Sequence, residues 1–116
     1  MIPKELVKGS LKSIVLKLLA ENNRMYGYEI TQKVERLSEG KIKMTYGALY
    51  PILHKLEKDG VVVTESKVVN NRNRIYYRLT KKGNATAKER IKELEEFVQT
   101  IKILLNPQIG FESCVC

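Results

Sequence analysis

The sequence predicts a mainly α-helical fold with one small β-hairpin, in the order three helices, two strands and a long C-terminal helix. Three observations predict it. Apolar residues recur at helical spacing in four separate stretches, the period turns strand-like only between Val61 and Thr80, and the residues from Ala87 to Leu105 keep a heptad seam. At 116 residues, 43% hydrophobic and 29% charged, the chain has the makings of one compact domain and is too short for two ordinary ones.

Helix one is expected over Lys4 to Glu21, where Leu11, Ile14, Val15, Leu18 and Leu19 form one stripe, and it breaks at Asn22-Asn23. Helix two runs from Gly27 to Leu37 with Ile30, Val34 and Leu37 on one face, and Gly40 supplies the stop. Thr45 is the N-cap expected for helix three. Leu49, Ile52, Leu53 and Leu56 repeat at i, i+3, i+4, i+7 up to Asp59-Gly60, and Pro51 removes one backbone donor and is expected to bend the first turns. Val61 to Thr64 and Arg74 to Thr80 read as two strands of a hairpin. Alternation in the second places Ile75, Tyr77 and Leu79 on one face, expected to be core, with Arg74, Tyr76 and Arg78 on the other. Asn70-Asn71-Arg72-Asn73 is turn chemistry, giving the hairpin a basic tip. The last helix opens near Lys81-Lys82-Gly83 and runs to Leu105, with Asn106-Pro107 as its stop; at about 1.5 Å per residue it spans about 35 Å and overhangs the core. Its seam, Ile91, Leu94, Val98, Ile101 and Leu105 with Phe97 on the flank, calls for a second copy of the chain. Residues 108–116 are expected to fray.

Charge is uneven. The chain carries 21 Lys and Arg against 13 Asp and Glu, a formal net charge of +8, and residues 41–83 alone hold 10 basic and 3 acidic side chains. A localised excess of this kind points to a polyanion-binding face, and to double-stranded DNA before a generally basic protein; no apolar run reaches the length of a membrane span. Catalysis has little to stand on: His54 is the only histidine, and no nucleophile–base order or Gly-rich phosphate loop is present. Cys114 and Cys116 are the only cysteines, too close to close a stabilising loop, so no disulfide framework is expected. No enzyme activity, cofactor or metal site is expected, and a cytoplasmic location follows from the cysteine usage and the absence of a signal-type N-terminus.

Three helices, a hairpin with a basic tip and a long final helix describe a winged helix-turn-helix with a dimerisation helix. The residues themselves resemble the PadR family of bacterial transcriptional regulators over about residues 11–105. The resemblance rests on Tyr26-Gly27-Tyr28-Glu29-Ile30, on Thr45-Tyr46-Gly47-Ala48-Leu49-Tyr50-Pro51-Ile52-Leu53 with Leu56 to Val61, and on Arg74-Ile75-Tyr76-Tyr77-Arg78-Leu79-Thr80-Lys81-Lys82-Gly83. It implies a homodimeric repressor on a palindromic operator, of the short branch with a single helix after the wing and no separate effector domain. Members are often released from DNA by small molecules, so an effector is part of the expectation. With no tryptophan in the chain, a site between paired indoles is ruled out and Phe97 is the nearest substitute.

Residues 1–83 are thus expected to form the DNA-binding unit, 84–107 the dimerisation helix and 108–116 a flexible tail. With the apolar stripe of helix three facing the core, Gly47, Tyr50, Pro51, His54 and Lys58 turn outward. Small Gly47 permits close approach to a groove, Thr45, Tyr46 and Tyr50 donate to bases or phosphates, and Tyr26 adds a phosphate bond at the start of helix two. Lys67, Arg72 and Arg74 sit at or beside the wing tip. Plainer roles compete: Tyr46 as a packing tyrosine, His54 as a solvated surface residue, and the wing arginines as a solvated turn. Two other functions also compete, a protein-docking winged helix and a thiol or metal sensor built on Cys114 and Cys116.

Overall fold

The computed structural model describes residues 1–106. Pro107, the expected tail over 108–116, Cys114 and Cys116 lie outside the described residues. The elements are α1 (Lys4–Val7), a 3-10 turn (Lys8–Ser10), α2 (Leu11–Glu21), β1 (Met25–Tyr26), α3 (Gly27–Leu37), α4 (Tyr46–Lys58), β2 (Val62–Val69), β3 (Arg72–Leu79) and α5 (Lys81–Leu105). The chain is mainly helical, with a small antiparallel sheet in the order β1-β3-β2.

The core is a single apolar cluster in which α2, α3 and α4 meet the base of the sheet. Val15, Leu16, Ile30, Leu49, Leu53 and Leu56 have no accessible surface, and Met25, Val62, Tyr77, Leu79 and Ala87 close the cluster from the sheet and from α5. Within α4 the stripe Leu49, Leu53, Leu56 is buried and Ile52 packs at its edge, as the spacing requires. The helix stays continuous through exposed Pro51.

Four expectations need correction. Helix one is not continuous. Gly9 and Ser10 interrupt it, and the Ser10 hydroxyl donates to the Val7 carbonyl at 2.8 Å, which competes with the helical ladder. The hairpin is part of a three-stranded sheet, because Met25 and Tyr26 pair with Tyr77 and Tyr76; a two-residue strand carries no readable period. The turn is only Asn70-Asn71, both at positive φ (51° and 62°), so that Arg72 and Asn73 belong to β3 and the strands are longer than alternation alone marks. Finally, Ile75 and Leu37 are not core: Ile75 shares the face of Tyr77 and Leu79, yet it lines an open depression between the hairpin and the end of α4, leaving it 52% exposed. Leu37, in the last turn of α3, is 64% exposed for the same reason of position.

One junction holds the sheet, α4 and α5 together. Thr80 donates its N–H to the Val61 carbonyl at 3.0 Å, and its hydroxyl donates to the Gly60 carbonyl at 2.7 Å while accepting the Gly83 N–H at 2.9 Å as the N-cap of α5. Lys82 adds a bond from Nζ to the Asp59 carbonyl. Gly83 is pressed onto this site so closely that a β-carbon there would lie 2.0 Å from the Val61 carbonyl oxygen. Beyond Ala87 the long helix leaves the core: Ile91 still packs against it, and from Phe97 onward the apolar side chains are exposed. Gly83→Ala is expected to lower unfolding stability by roughly 3 kcal/mol, the upper end of overpacking, because the clashing atom is backbone and cannot rotate away. Thermal denaturation of the variant beside the unaltered protein checks this.

Candidate nucleic-acid interface

The amino-terminal half of α4 buries Leu49 and turns Tyr46, Gly47 and Tyr50 outward beside the wing. Thr45 caps it, its Oγ1 accepting the Ala48 N–H at 3.2 Å, which leaves the hydroxyl proton free to donate outward. The next amides, those of Tyr46 and Gly47, lie in the first turn, where a helix supplies no internal partner. Tyr46, Gly47 and Tyr50 are all exposed, and the Tyr46 and Tyr50 rings stack at 5.5 Å, with His54 following at 5.8 Å from Tyr50. Burial of part of the ring, then the neighbouring Tyr50, Tyr28 and Tyr26 phenols, push the Tyr46 phenol above its ordinary pKa. It is a neutral donor through the physiological range.

A depression of about 180 Å³ separates this helix end from the wing, lined by Tyr26, Tyr28, Tyr46, Tyr50, Tyr77 and Arg74, among others. Tyr26 reaches it because Glu29 Oε1 accepts the Tyr26 N–H at 3.0 Å, fixing the strand-to-helix corner. Gly27 follows at that corner, and a β-carbon there would press on the Tyr46 ring at 3.3 Å. The structure thus brings together Tyr26, Tyr46, Tyr50 and Arg74 from the expected set, with Thr45 and Gly47 beside them. Lys67 and Arg72 stand farther out on the wing, Lys67 directly across from Arg74 and Arg72 across from Val69 next to the Asn70-Asn71 turn.

Arg74 is not a residue of a solvated turn. It lies within β3, half-buried, with its guanidinium 4.5 Å over the Tyr26 ring. A side-chain hydrogen bond with Tyr76 holds its pKa above the ordinary arginine value. Tyr76 meets Tyr26 edge-on at 5.4 Å and carries the Arg24 guanidinium 4.8 Å over its own ring, and Arg24 in turn pairs with Glu65. Sequence reading missed Arg24, Tyr28 and Tyr76 as members of this cluster. Arg24 was legible only as part of a helix break, and its partner Glu65 lies 41 residues away.

The seam of α5 divides. Ile91 packs on the core and Leu94 is half-buried, whereas Phe97, Val98, Ile101 and Leu105 are exposed, Phe97 at 60% and Leu105 at 81%. No described helix is long and apolar enough to cross a membrane.

A helix-turn-helix, here α3 and α4, whose second helix exposes one face beside a β-hairpin is a winged helix-turn-helix. Residues 15–89 match the model of the transcriptional regulator PadR-like family. The chain belongs to that family and is a transcriptional regulator. It is 39% identical over 82 residues to a transcriptional regulator of Mycobacterium tuberculosis, covering 71% of this chain and 74% of that one. An uncharacterized protein of Lysinibacillus sphaericus is 32% identical over 106 residues, 90% of this chain and 96% of the other. Among solved structures, a transcriptional regulator from Clostridium thermocellum superposes with a TM-score of 0.75 at 28% identity, covering 84% of this chain and 95% of that one. A PadR family transcriptional regulator from Eggerthella lenta gives 0.71 at 28% identity, with 88% and 87% covered.

The two glycines of the site differ in what they leave room for. A β-carbon at Gly47 meets nothing closer than Thr45 Oγ1 at 3.8 Å. Gly47→Ala is therefore expected to raise folding stability by about 0.5 to 1 kcal/mol through helix propensity, measured by denaturant unfolding. A loss of stability would show that the glycine serves the fold.

Proposed function

We propose that this regulator binds double-stranded DNA as a homodimer and represses transcription by occupying a palindromic operator, from which a small-molecule effector releases it. The observation that carries the reading is the convergence of neutral donors on the exposed end of α4 (Thr45, Tyr46 and Tyr50 around small Gly47) with Tyr26 and the wing cations alongside. Tyr and Thr hydroxyls donate to base edges or phosphates without adding charge, while Lys67, Arg72 and Arg74 pair with backbone. The exposed distal seam of α5, Phe97, Val98, Ile101 and Leu105 beyond Leu94, is the surface on which a second copy docks. Residues 1–83 and the first turns of α5 then form the DNA-binding unit, and the helix beyond forms the dimerisation element, in a protein that works in the cytoplasm.

Selection of bound duplexes from random DNA tests the reading. The expected product is a two-fold symmetric site with half-sites about 10 base pairs, or a multiple, apart. On that site Thr45→Ala and Tyr50→Phe are expected to lose specificity, each base contact being worth about 1 to 3 kcal/mol of discrimination. Unaltered ratios of specific to random binding in both variants would remove α4 as the reader.

Sedimentation tests the dimer separately. The unaltered chain is expected to sediment as a dimer at micromolar concentration, and Leu94→Glu with Ile101→Glu as a monomer, because two carboxylates buried without partners cost more than the seam returns. A monomeric unaltered protein would overturn the arrangement.

A further inference from the structure

One edge of the sheet stops short. The Thr80 N–H donates to the Val61 carbonyl, and main-chain groups along an antiparallel strand alternate in direction, so the Leu79 N–H and C=O point the other way, toward the side of β1. β1 has ended by then: Met25 pairs with Tyr77, and no residue pairs with Leu79 on that side. Leu79 is only 7% exposed, and among the described residues no loop or cap bonds its N–H or its C=O. Main-chain groups buried to this degree are nearly always paired, which makes this donor and acceptor an exception that calls for a partner.

Leu79 lines a depression of about 270 Å³ between the end of α2 and the start of α5, with Arg78, Asn22 and Asn84 as its polar groups and Leu19 and Ala20 as an apolar wall. Among the described residues Arg78 has no carboxylate within 4.0 Å, and no acid lines the depression, so the charge it suits is negative. The Leu79 C=O and the oxygen of the Asn22 amide, whose nitrogen donates to the Leu18 carbonyl at 2.8 Å, are neutral acceptors, so the ligand also brings a donor. A hydroxyl suits them better than an ammonium, which would meet no acid there and would lie close to Arg78. Drug-sized pockets run from about 300 to 1,000 Å³, so the ligand is smaller than that.

We propose that this depression is the effector site and that it takes a small aliphatic α-hydroxy acid. The carboxylate pairs with Arg78 and the Leu79 N–H, the hydroxyl donates to the Leu79 C=O as an added strand would, and the chain lies on Leu19 and Ala20. A ligand held there touches α2, the base of the wing and the first turn of α5, and so bears on the angle between wing and long helix. Arg24, two residues past Asn22, links the site through Glu65 and Tyr76 to Tyr26 beside α4. This assignment rests on the effector reading above.

Isothermal titration of the full chain with α-hydroxyisocaproate, without DNA, tests the site. Binding in the millimolar range or tighter is expected, and binding about tenfold weaker for isocaproate, which lacks the hydroxyl, and for leucine, which carries an ammonium in its place. Arg78→Gln and Ala20→Met, the second enlarging the apolar wall, are each expected to weaken binding about tenfold, with thermal denaturation confirming that both fold. No binding, equal binding of the three acids, or unchanged binding in both variants overturns the site. Release is read separately: saturating α-hydroxyisocaproate is expected to lower affinity for the selected duplex by about fivefold or more, and the duplex to weaken the acid by the same factor. Ala20→Met is expected to bind the duplex as the unaltered chain does and to lose this response. Binding of the acid with unchanged DNA affinity overturns the effector role, whereas an unaltered chain that binds no duplex overturns the DNA-binding reading and leaves the titration standing.

Discussion

The structure depends on a carbonyl oxygen. Val61 O, at the exit of α4, accepts from the Thr80 N–H and the Thr80 hydroxyl at 3.0 and 3.2 Å, and Gly83 lies against it without a side chain between them. Three elements meet there: the helix that presents Tyr46 and Tyr50, the base of the wing and the first turn of α5. A hairpin projecting beyond its core has few contacts of its own to fix its attitude. Here its two ends are tied within a few residues of each other, and the long helix leaves from the same point. The backbone at the base of the wing is thereby fixed against the exit of α4, and the reach of its cations is left to their side chains.

Much of this architecture was legible in the sequence because periodicity reports burial. Leu49, Leu53 and Leu56 in α4 and Tyr77 with Leu79 in β3 are buried as their spacing requires. Spacing fails where burial ends before the element does. Ile75 obeys the strand alternation but faces the open depression beside α4, and Leu37 obeys the helical stripe one turn too late. Short elements fail for another reason: Met25-Tyr26 has no period to read, and its membership in the sheet is decided by pairing with residues about 50 positions on. For the site, residue types and local spacing were enough to mark Thr45, Gly47 and Tyr50. They were not enough for Arg24 and Tyr76, whose meeting is a property of the sheet order, nor for the packing of Arg74 on Tyr26.

The aromatic ladder from Arg24 through Tyr76 and Tyr26 to Arg74 shows how charge is made rigid at a surface. An exposed guanidinium on a long side chain has about 2 kcal/mol of rotamer entropy to lose when it meets a ligand. A ring beneath it, at 4.5 Å for Arg74 and 4.8 Å for Arg24, removes part of that freedom before binding. Each such stack is worth about 0.5 to 1 kcal/mol when exposed, too little to matter for folding but enough to favour one orientation. Glu65 plays the complementary part, holding Arg24 in place while cancelling its charge.

Aromatic residues serve the other half of the site differently. The chain has six tyrosines and no tryptophan. Five tyrosines line the depression beside α4 and the sixth, Tyr76, abuts Tyr26. A phenol brings a rigid apolar body and one directional hydroxyl at a cost of two torsions. Burial and the neighbouring phenols raise the Tyr46 pKa, so its hydroxyl stays protonated and neutral. In the proposed mode of binding, contacts from these neutral groups are insensitive to salt and depend on the base or sugar presented. Contacts from the wing cations Lys67, Arg72 and Arg74 depend on salt and are indifferent to sequence. The two kinds of group stand on separate elements, α4 and the hairpin, and meet in the depression that Tyr46 and Tyr50 line together with Arg74. Affinity can then change through the wing without changing what α4 discriminates, because Lys67, Arg72 and Arg74 are carried by the hairpin and Tyr46 and Tyr50 by the helix.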